Sequence, residues 1–261
     1  RIVYGNITGF NFRCLGTPPN NLPKYLRQNK HDDDQQAFAY LPWQHSGDLI
    51  LVEGELDALR ANTMGIKNVV AIGRIEASEE QLRHAKERNF NKITICLDTE
   101  PAPEKQKRKA QQIERIATKA EAMGFSVYVA NLPDLDGVKT DLDAYLTTHT
   151  ANDFLQLVNS NNASEMQHIS TWRVVQLAKQ YQGDVLSDKA QEDLLNGIVK
   201  IGLNVTPTRR KEYYEQVNNF IGEYVAIDEE AINQTIERIK KAQELETQQH
   251  EYKTQTERIN K

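Results

Sequence analysis

A chain of 261 residues holds one large domain or two to three small ones, and at 39% hydrophobic with a mean hydropathy of -0.66 it forms a core under a large polar surface. No run approaches the roughly 18 apolar residues of a membrane span, no signal peptide is visible, and Cys14 and Cys96 form no CxxC, which excludes a disulfide framework or a cysteine zinc site and fits a reducing, cytoplasmic setting. The net charge of -5 does not advertise a nucleic-acid binder, yet residues 1–31 carry Arg1, Arg13, Lys24, Arg27 and Lys30 and no acid. A basic arm beside an acidic remainder suits a phosphate-binding surface next to a metal site, or simply a solvated face.

Arg1 to Leu15 alternates apolar and polar residues around Gly5, Asn6 and Gly9, which predicts a β-hairpin with Asn6 near its turn. The start at Arg1, inside this strand pattern and without Met, reads as an excised fragment. Pro18 and Pro19 mark a loop, and Ala37–Leu41 is a further short strand ended by Pro42.

From Gly47 the pattern becomes strand and helix in turn. GDLILVEGELD reads as a turn, a strand over 49–53 buried on both faces, and Glu53 emerging at its carboxyl end, with Gly54 keeping the approach open. A helix over 56–64 stops at Gly65, and a strand follows over 68–72. Ser78 with Gln81 forms a capping box for a helix to Arg88. A strand over 92–97 ends at Asp98, a helix runs from Pro103 to Gly124, and a strand over 125–130 follows. Four strands joined by helical crossovers mean a parallel sheet. A short helix surrounds Phe154, Leu157 and Val158, and from Glu165 the chain reads as all-helical. Beyond Ala242 the apolar face disappears and the tail reads as a solvated or frayed helix. The organisation expected is a β-rich basic subdomain (1–46), a catalytic α/β domain (47–150) and a helical subdomain with a polar tail (151–261).

Open α/β sheets place their chemistry at strand carboxyl ends, which is where Glu53 and Asp98 fall. Pro101 keeps Glu100 extended, and in an extended D-x-E both carboxylates point the same way. Asp134 and Asp136, then Asp141 and Asp143, follow the fourth strand. Singly, each acid suits a turn or a helix cap, and Asp141 and Asp143 could cap a helix at 144–146. Converging, they are hard oxygen ligands for Mg²⁺ or Mn²⁺. Such ions orient a nucleoside triphosphate for in-line phosphoryl displacement. Lys24 and its basic neighbours would neutralise nucleic-acid phosphates, and Tyr25, Phe10 and Phe12 could stack bases. For Phe10 and Phe12 ordinary hairpin core is the favoured reading.

VEGELDAL resembles the glutamate motif of the Toprim fold, and LDTE its Asp-x-Asp motif. RIVYGNITGFNFRCLG with PKYL, LPDLDGVKTDLDAYL, and the helical stretch from EDLLNGIVKIG to EYVAIDEEAI are similar to the corresponding segments of DnaG-like bacterial-type primases, of the kind carried by phages, plasmids or other mobile elements. The resemblance implies a Toprim-type four-stranded parallel sheet with flanking helices, and RNA primer synthesis on a single-stranded DNA template from ribonucleoside triphosphates. Glu53 matches the catalytic glutamate, and Asp98 and Glu100 match the two acids of the second motif. Asp141 and Asp143 match an additional metal-binding pair. Asp57 matches an acid that supports the site or caps a helix. Arg13, Lys24, Tyr25, Arg27 and Lys30 fall in the template-contacting segment. Glu100 departs from the family's aspartate by one methylene, which shifts metal spacing or favours Mn²⁺. Glu53 as metal ligand and as general acid/base both stay open. A zinc module is expected upstream or absent, and the helical region is a platform for a replicative helicase or a buttress. Rival readings are a Toprim nuclease or topoisomerase fragment, and a non-catalytic module that grips nucleic acid.

Overall fold

The computed structural model describes residues 2–3, 6–7, 9–19, 22–23, 25–29, 47–73, 76–134, 137–162, 164–181, 186–221 and 228–259. The chain divides into two compact units, Arg1–Ile169 and Ser170–Lys261. None of the described helices is long and apolar enough to cross a membrane.

The first unit is built on β5 (Gly47–Val52), whose Leu49, Ile50, Leu51 and Val52 are all at most 4% exposed. It lies between β6 (Val69–Ala71) and β7 (Phe90–Ile95), parallel to both, and β8 (Ser126–Ala130) runs parallel to β7. An unbroken apolar run is what a strand covered on both faces requires. The connections carry α1 (Glu55–Thr63), α2 (Glu79–Glu87) and α3 (Pro103–Ala122). Ser78 and Gln81 cap α2 reciprocally, as their spacing predicts. Gly65 and Gly124, at φ of 90° and 78°, take the left-handed conformation that ends α1 and α3.

The four parallel strands are therefore present, with a fifth added. Met166–His168, expected to be helical, forms β9 and pairs antiparallel with the outer edge of β8, giving the order β6-β5-β7-β8-β9. Three residues carry no readable periodicity; the open edge of β8 supplies the hydrogen bonds that make them a strand. Between them lie α4 (Leu142–Thr148) and α5 (Ala151–Leu157). Phe154, Leu157 and Val158 join Leu142, Tyr145 and Leu146 in one core cluster with Ile50 and Val52.

The amino-terminal hairpin forms with Asn6 beside its turn, as expected, but is shorter than the alternating stretch: β1 (Ile2–Val3) pairs with β2 (Asn6–Ile7), while β3 (Gly9–Arg13) pairs with β4 (Tyr25–Asn29) across the proline loop. Phe10 and Phe12, favoured above as hairpin core, are 56% and 52% exposed. The strand expected over 37–41 lies outside the described residues.

In the second unit, α6 (Ile169–Ala178, whose first residue closes the first unit) is followed by α7 (Asp188–Leu203), α8 (Pro207–Ile221) and α9 (Glu229–Ile259). Val174, Leu194, Ile198, Val205, Tyr213, Val217 and Ile221 form its core. From Lys241 to Gln249 every side chain of α9 is exposed, the solvated helix expected of the tail. A helix interior normally gains stability when Gly becomes Ala, but a Cβ on Gly202 would stand 2.6 Å from the Tyr214 hydroxyl and 2.8 Å from the Tyr213 ring. Tyr213 is held by its hydroxyl donating to the Ile198 carbonyl at 2.8 Å. Gly202→Ala is therefore expected to lower stability by about 1–3 kcal/mol in urea unfolding, and a gain would mean that the rings move aside freely.

Candidate active site

The backbone brings two acidic loops together at the carboxyl end of the sheet. Cys96 continues the β7 pattern by donating its N–H to the Leu51 carbonyl at 2.9 Å, and the chain then runs out through Leu97 and Asp98. Thr99 N–H donates to the Thr140 carbonyl at 2.8 Å, and Thr140 N–H donates to Thr99 Oγ1 at 2.6 Å. This lacing sets Lys139 opposite Asp98 and Glu100. Its Nζ lies 3.1 Å from Asp98 Oδ2 and 3.0 Å from Glu100 Oε1, so both carboxylates of the D-x-E face one ammonium. Lys105 is 4.0 Å from Glu100 Oε2, and that oxygen is buried without a hydrogen-bond partner.

Glu53 follows β5 into the same charge field. Burial raises its proton affinity, Asp98 and Glu100 raise it further, and Lys139 and Lys109 oppose them. Asp98 is likewise held above the usual carboxylate range, chiefly by burial, despite its lysine partner, with Asp141 adding to the rise. Lys109 of α3 donates to the Leu97 carbonyl at 3.2 Å, and burial pulls its ammonium below the ordinary lysine value. For Lys139, partial desolvation is outweighed by its hydrogen bonds to Glu100 and Asp98 and by their charge, and its pKa is raised.

Asp57 ties the site to α4. Its Oδ1 accepts from Asp143 N–H at 2.9 Å and its Oδ2 from Gly54 N–H at 3.1 Å, so one carboxylate joins the starts of α1 and α4. Burial pushes it up to about 7; the two N–H donors counter this, while Asp98 and Asp141 reinforce it. Because the folded value lies above the ordinary 3.8, the folded state holds a proton that the unfolded chain has lost. Its stabilising contribution is full below that ordinary value and lost as pH rises to about 7. Urea titrations of wild type and Asp57→Asn should therefore show wild type losing ground to the variant across that window; parallel curves would refute the shift.

The other expected residues separate. Asp141 caps α4, its Oδ1 accepting from Ala144 N–H at 2.7 Å, and its charge still reaches Asp98 and Asp57. Asp143 turns to Arg60, 3.8 Å away, with both side chains half-exposed. Asp134 makes a turn, accepting from Gly137 N–H, and Asp136 lies outside the described residues. Arg13 pairs in register with Tyr25, and Arg27 with Asn11, in β3 and β4; Lys24 and Lys30 fall outside the described residues. Lys139 and Lys109 were missed by sequence reasoning. The only available signal for Lys139 was a lysine two residues before the acid pair.

Among the described residues, no three Asp, Glu, His or Cys side chains stand close enough to hold a metal ion as arranged. Lys139 stands between Asp98 and Glu100 instead. The donor chemistry nevertheless fits a hard divalent cation, since the groups are carboxylate oxygens and one buried oxygen of Glu100 has no hydrogen bond.

Residues 50–146 match the family model described as Toprim-like. The chain is 25% identical over 258 residues to a DNA primase of Enterococcus faecalis (strain ATCC 700802 / V583), an alignment covering 94% of this chain and 38% of that protein. This chain thus spans well under half the length of that relative. A DNA primase domain from Pseudomonas aeruginosa has a similar structure, with TM-score 0.57 and 18% identity over 87% of this chain and 67% of that one. The RNA polymerase domain of Mycobacterium tuberculosis primase DnaG, solved with a double-stranded DNA oligomer bearing a 6-nucleotide overhang, gives TM-score 0.59 and 17% identity over 85% and 68% of the two chains. These likenesses establish the fold.

Proposed function

We propose that this chain, with a Toprim-like domain at residues 50–146 and the fold of a DnaG-type primase catalytic core, joins ribonucleotides into primers on a single-stranded DNA template. The observation that carries the reading is that Lys139 bridges Asp98 and Glu100 at the carboxyl end of the sheet, with Glu53 inside their charge field. Glu53, Asp98 and Glu100 would hold Mg²⁺ or Mn²⁺, with Asp141 and Asp143 as the additional pair. A divalent cation bound there supplies charge neutralisation at the α-phosphate and at the leaving pyrophosphate. The protein contributes positioning: the Thr99–Thr140 lacing fixes the two loops against each other, and Asp57 fixes α4 to α1.

The exposed Phe10 and Phe12 of β3 offer ring faces for stacking template bases, and Arg13, Lys24, Tyr25, Arg27 and Lys30 belong to the same basic segment. Residues 165–261 would serve as a docking platform for a partner such as a replicative helicase, or only as a buttress, in a cytoplasmic setting. The test is incubation with single-stranded DNA, ribonucleoside triphosphates and Mn²⁺ or Mg²⁺. Incorporation of ribonucleotides supports the proposal, whereas nicking or relaxation of supercoiled plasmid without incorporation points to a strand-cleaving Toprim enzyme and overturns it.

A further inference from the structure

We infer that Lys139 is a built-in stand-in for the divalent cation, which holds Asp98 and Glu100 while the metal is absent, yields its place when the ion enters, and then pairs with the polyphosphate that arrives with it. This rests on the metal-dependent reading above. Asp98 and Glu100 share one cation, the Lys139 ammonium bridging them at 3.1 and 3.0 Å, and both of them repel the charged form of Glu53. The arrangement is asymmetric in a way that suits exchange. Asp98 and Glu100 side chains are 13% and 16% exposed, whereas that of Lys139 is 45% exposed. The acids are embedded and the ammonium reaches them from the solvent side.

The hydrogen bonds of Thr99 with Thr140 fix the lysine's backbone, so the ammonium can leave by rotation about its flexible stem alone. Two further cations stand near but are not equivalent: Lys109 is largely buried and donates to the Leu97 carbonyl, and Lys105 is exposed and 4.0 Å from Glu100 Oε2, beyond hydrogen-bond reach. Glu100 Oε2, buried and without a hydrogen bond, is a donor atom that Lys139 leaves unused.

Two opposing effects follow. Binding of the metal alone must break the two Lys139 ion pairs, so the lysine weakens it. Once released, the ammonium regains a partner only when an anion is present, and phosphate oxygens are its chemical match. Lys139 thereby makes entry of metal and triphosphate mutually reinforcing, a reciprocal coupling of two ligands.

Mn²⁺ binding to the intact chain, followed by the electron paramagnetic resonance of free Mn²⁺, tests this without any turnover. Lys139→Met is expected to bind Mn²⁺ alone about three- to tenfold more tightly than wild type, and to gain less affinity than wild type when inorganic tripolyphosphate is added. Equal or weaker Mn²⁺ binding by the variant overturns the inference while leaving the metal reading intact, provided wild type binds the ion. If neither protein binds Mn²⁺, the metal reading fails and this inference with it. Should the variant not fold, the wild-type lysine side-chain ¹⁵N signals decide. The Lys139 ammonium, assigned separately from that of buried Lys109, is expected to be protected from exchange in the metal-free protein and to lose that protection on adding Mg²⁺, while Lys109 keeps its own; persistence at Lys139 contradicts displacement.

Discussion

Glu53→Gln is expected to reduce ribonucleotide incorporation on single-stranded DNA by at least ~100-fold, with no fall in melting temperature. The two side chains have nearly the same size, so packing around the end of β5 is kept. What changes is the charge. In the folded protein Glu53 is desolvated and repelled by Asp98 and Glu100, so its ionised form is a cost at neutral pH. The amide removes that cost, and stability should hold or rise while activity is lost. Opposed changes of this kind separate a functional carboxylate from a structural one, because a structural one would lose both together. Asp98→Asn should also abolish incorporation, but it gives up the charged partner of Lys139 at 3.1 Å and is expected to melt slightly below Glu53→Gln. Normal synthesis by either variant would remove the carboxylates from the mechanism. The comparison requires only incorporation assays and thermal melts on two purified variants.

The largest effect on stability is expected from Phe154→Ala, about 3–5 kcal/mol in denaturant unfolding. Phe154 is fully buried and its ring lies 6.3 Å from that of Tyr145. It shares a core cluster with Leu142 and Leu146 of α4, Ala58 and Ala61 of α1, and Ile50 and Val52 of β5. Truncation removes the transfer free energy of the ring and leaves a cavity that the surrounding strands and helices cannot fully close. The consequence reaches the site, because α4 begins with the Asp141 cap and receives the Asp57 carboxylate at Asp143 N–H. Incorporation should fall in the variant even at temperatures where it remains folded. A loss below about 1 kcal/mol would show that the cluster collapses around the missing ring, contrary to close packing in protein interiors.

The exposed β3–β4 pair shows how a sound pattern leads to a wrong environment. Alternation correctly marks Gly9–Arg13 as a strand, and β-propensity says no more than that Phe10 and Phe12 fit a pleated surface. Whether a second layer covers that surface depends on segments elsewhere in the chain, and both rings are more than half exposed. The acids behave similarly. Each of Asp134, Asp141 and Asp143 suits a turn, a cap or a metal, and the choice is made by what stands nearby. Asp134 finds Gly137 N–H, Asp141 finds Ala144 N–H, and Asp143 finds Arg60.

What the amino-acid order determined by itself was therefore everything written in short-range periods and caps. The apolar run of β5 required cover on both faces, the Ser78–Gln81 pair started α2, Gly65 and Gly124 ended α1 and α3, and Glu53 and Asp98 came to lie at strand ends on one side of the sheet. These features follow from side-chain periodicity and local hydrogen bonding, which operate within a few residues. Only the tertiary structure decided that β9 would close the sheet in the antiparallel sense, that β3 would pair with β4, and that Lys139 would stand between Asp98 and Glu100. A strand edge and a buried charge take whichever partner the rest of the chain delivers, and that partner lies far away in the sequence.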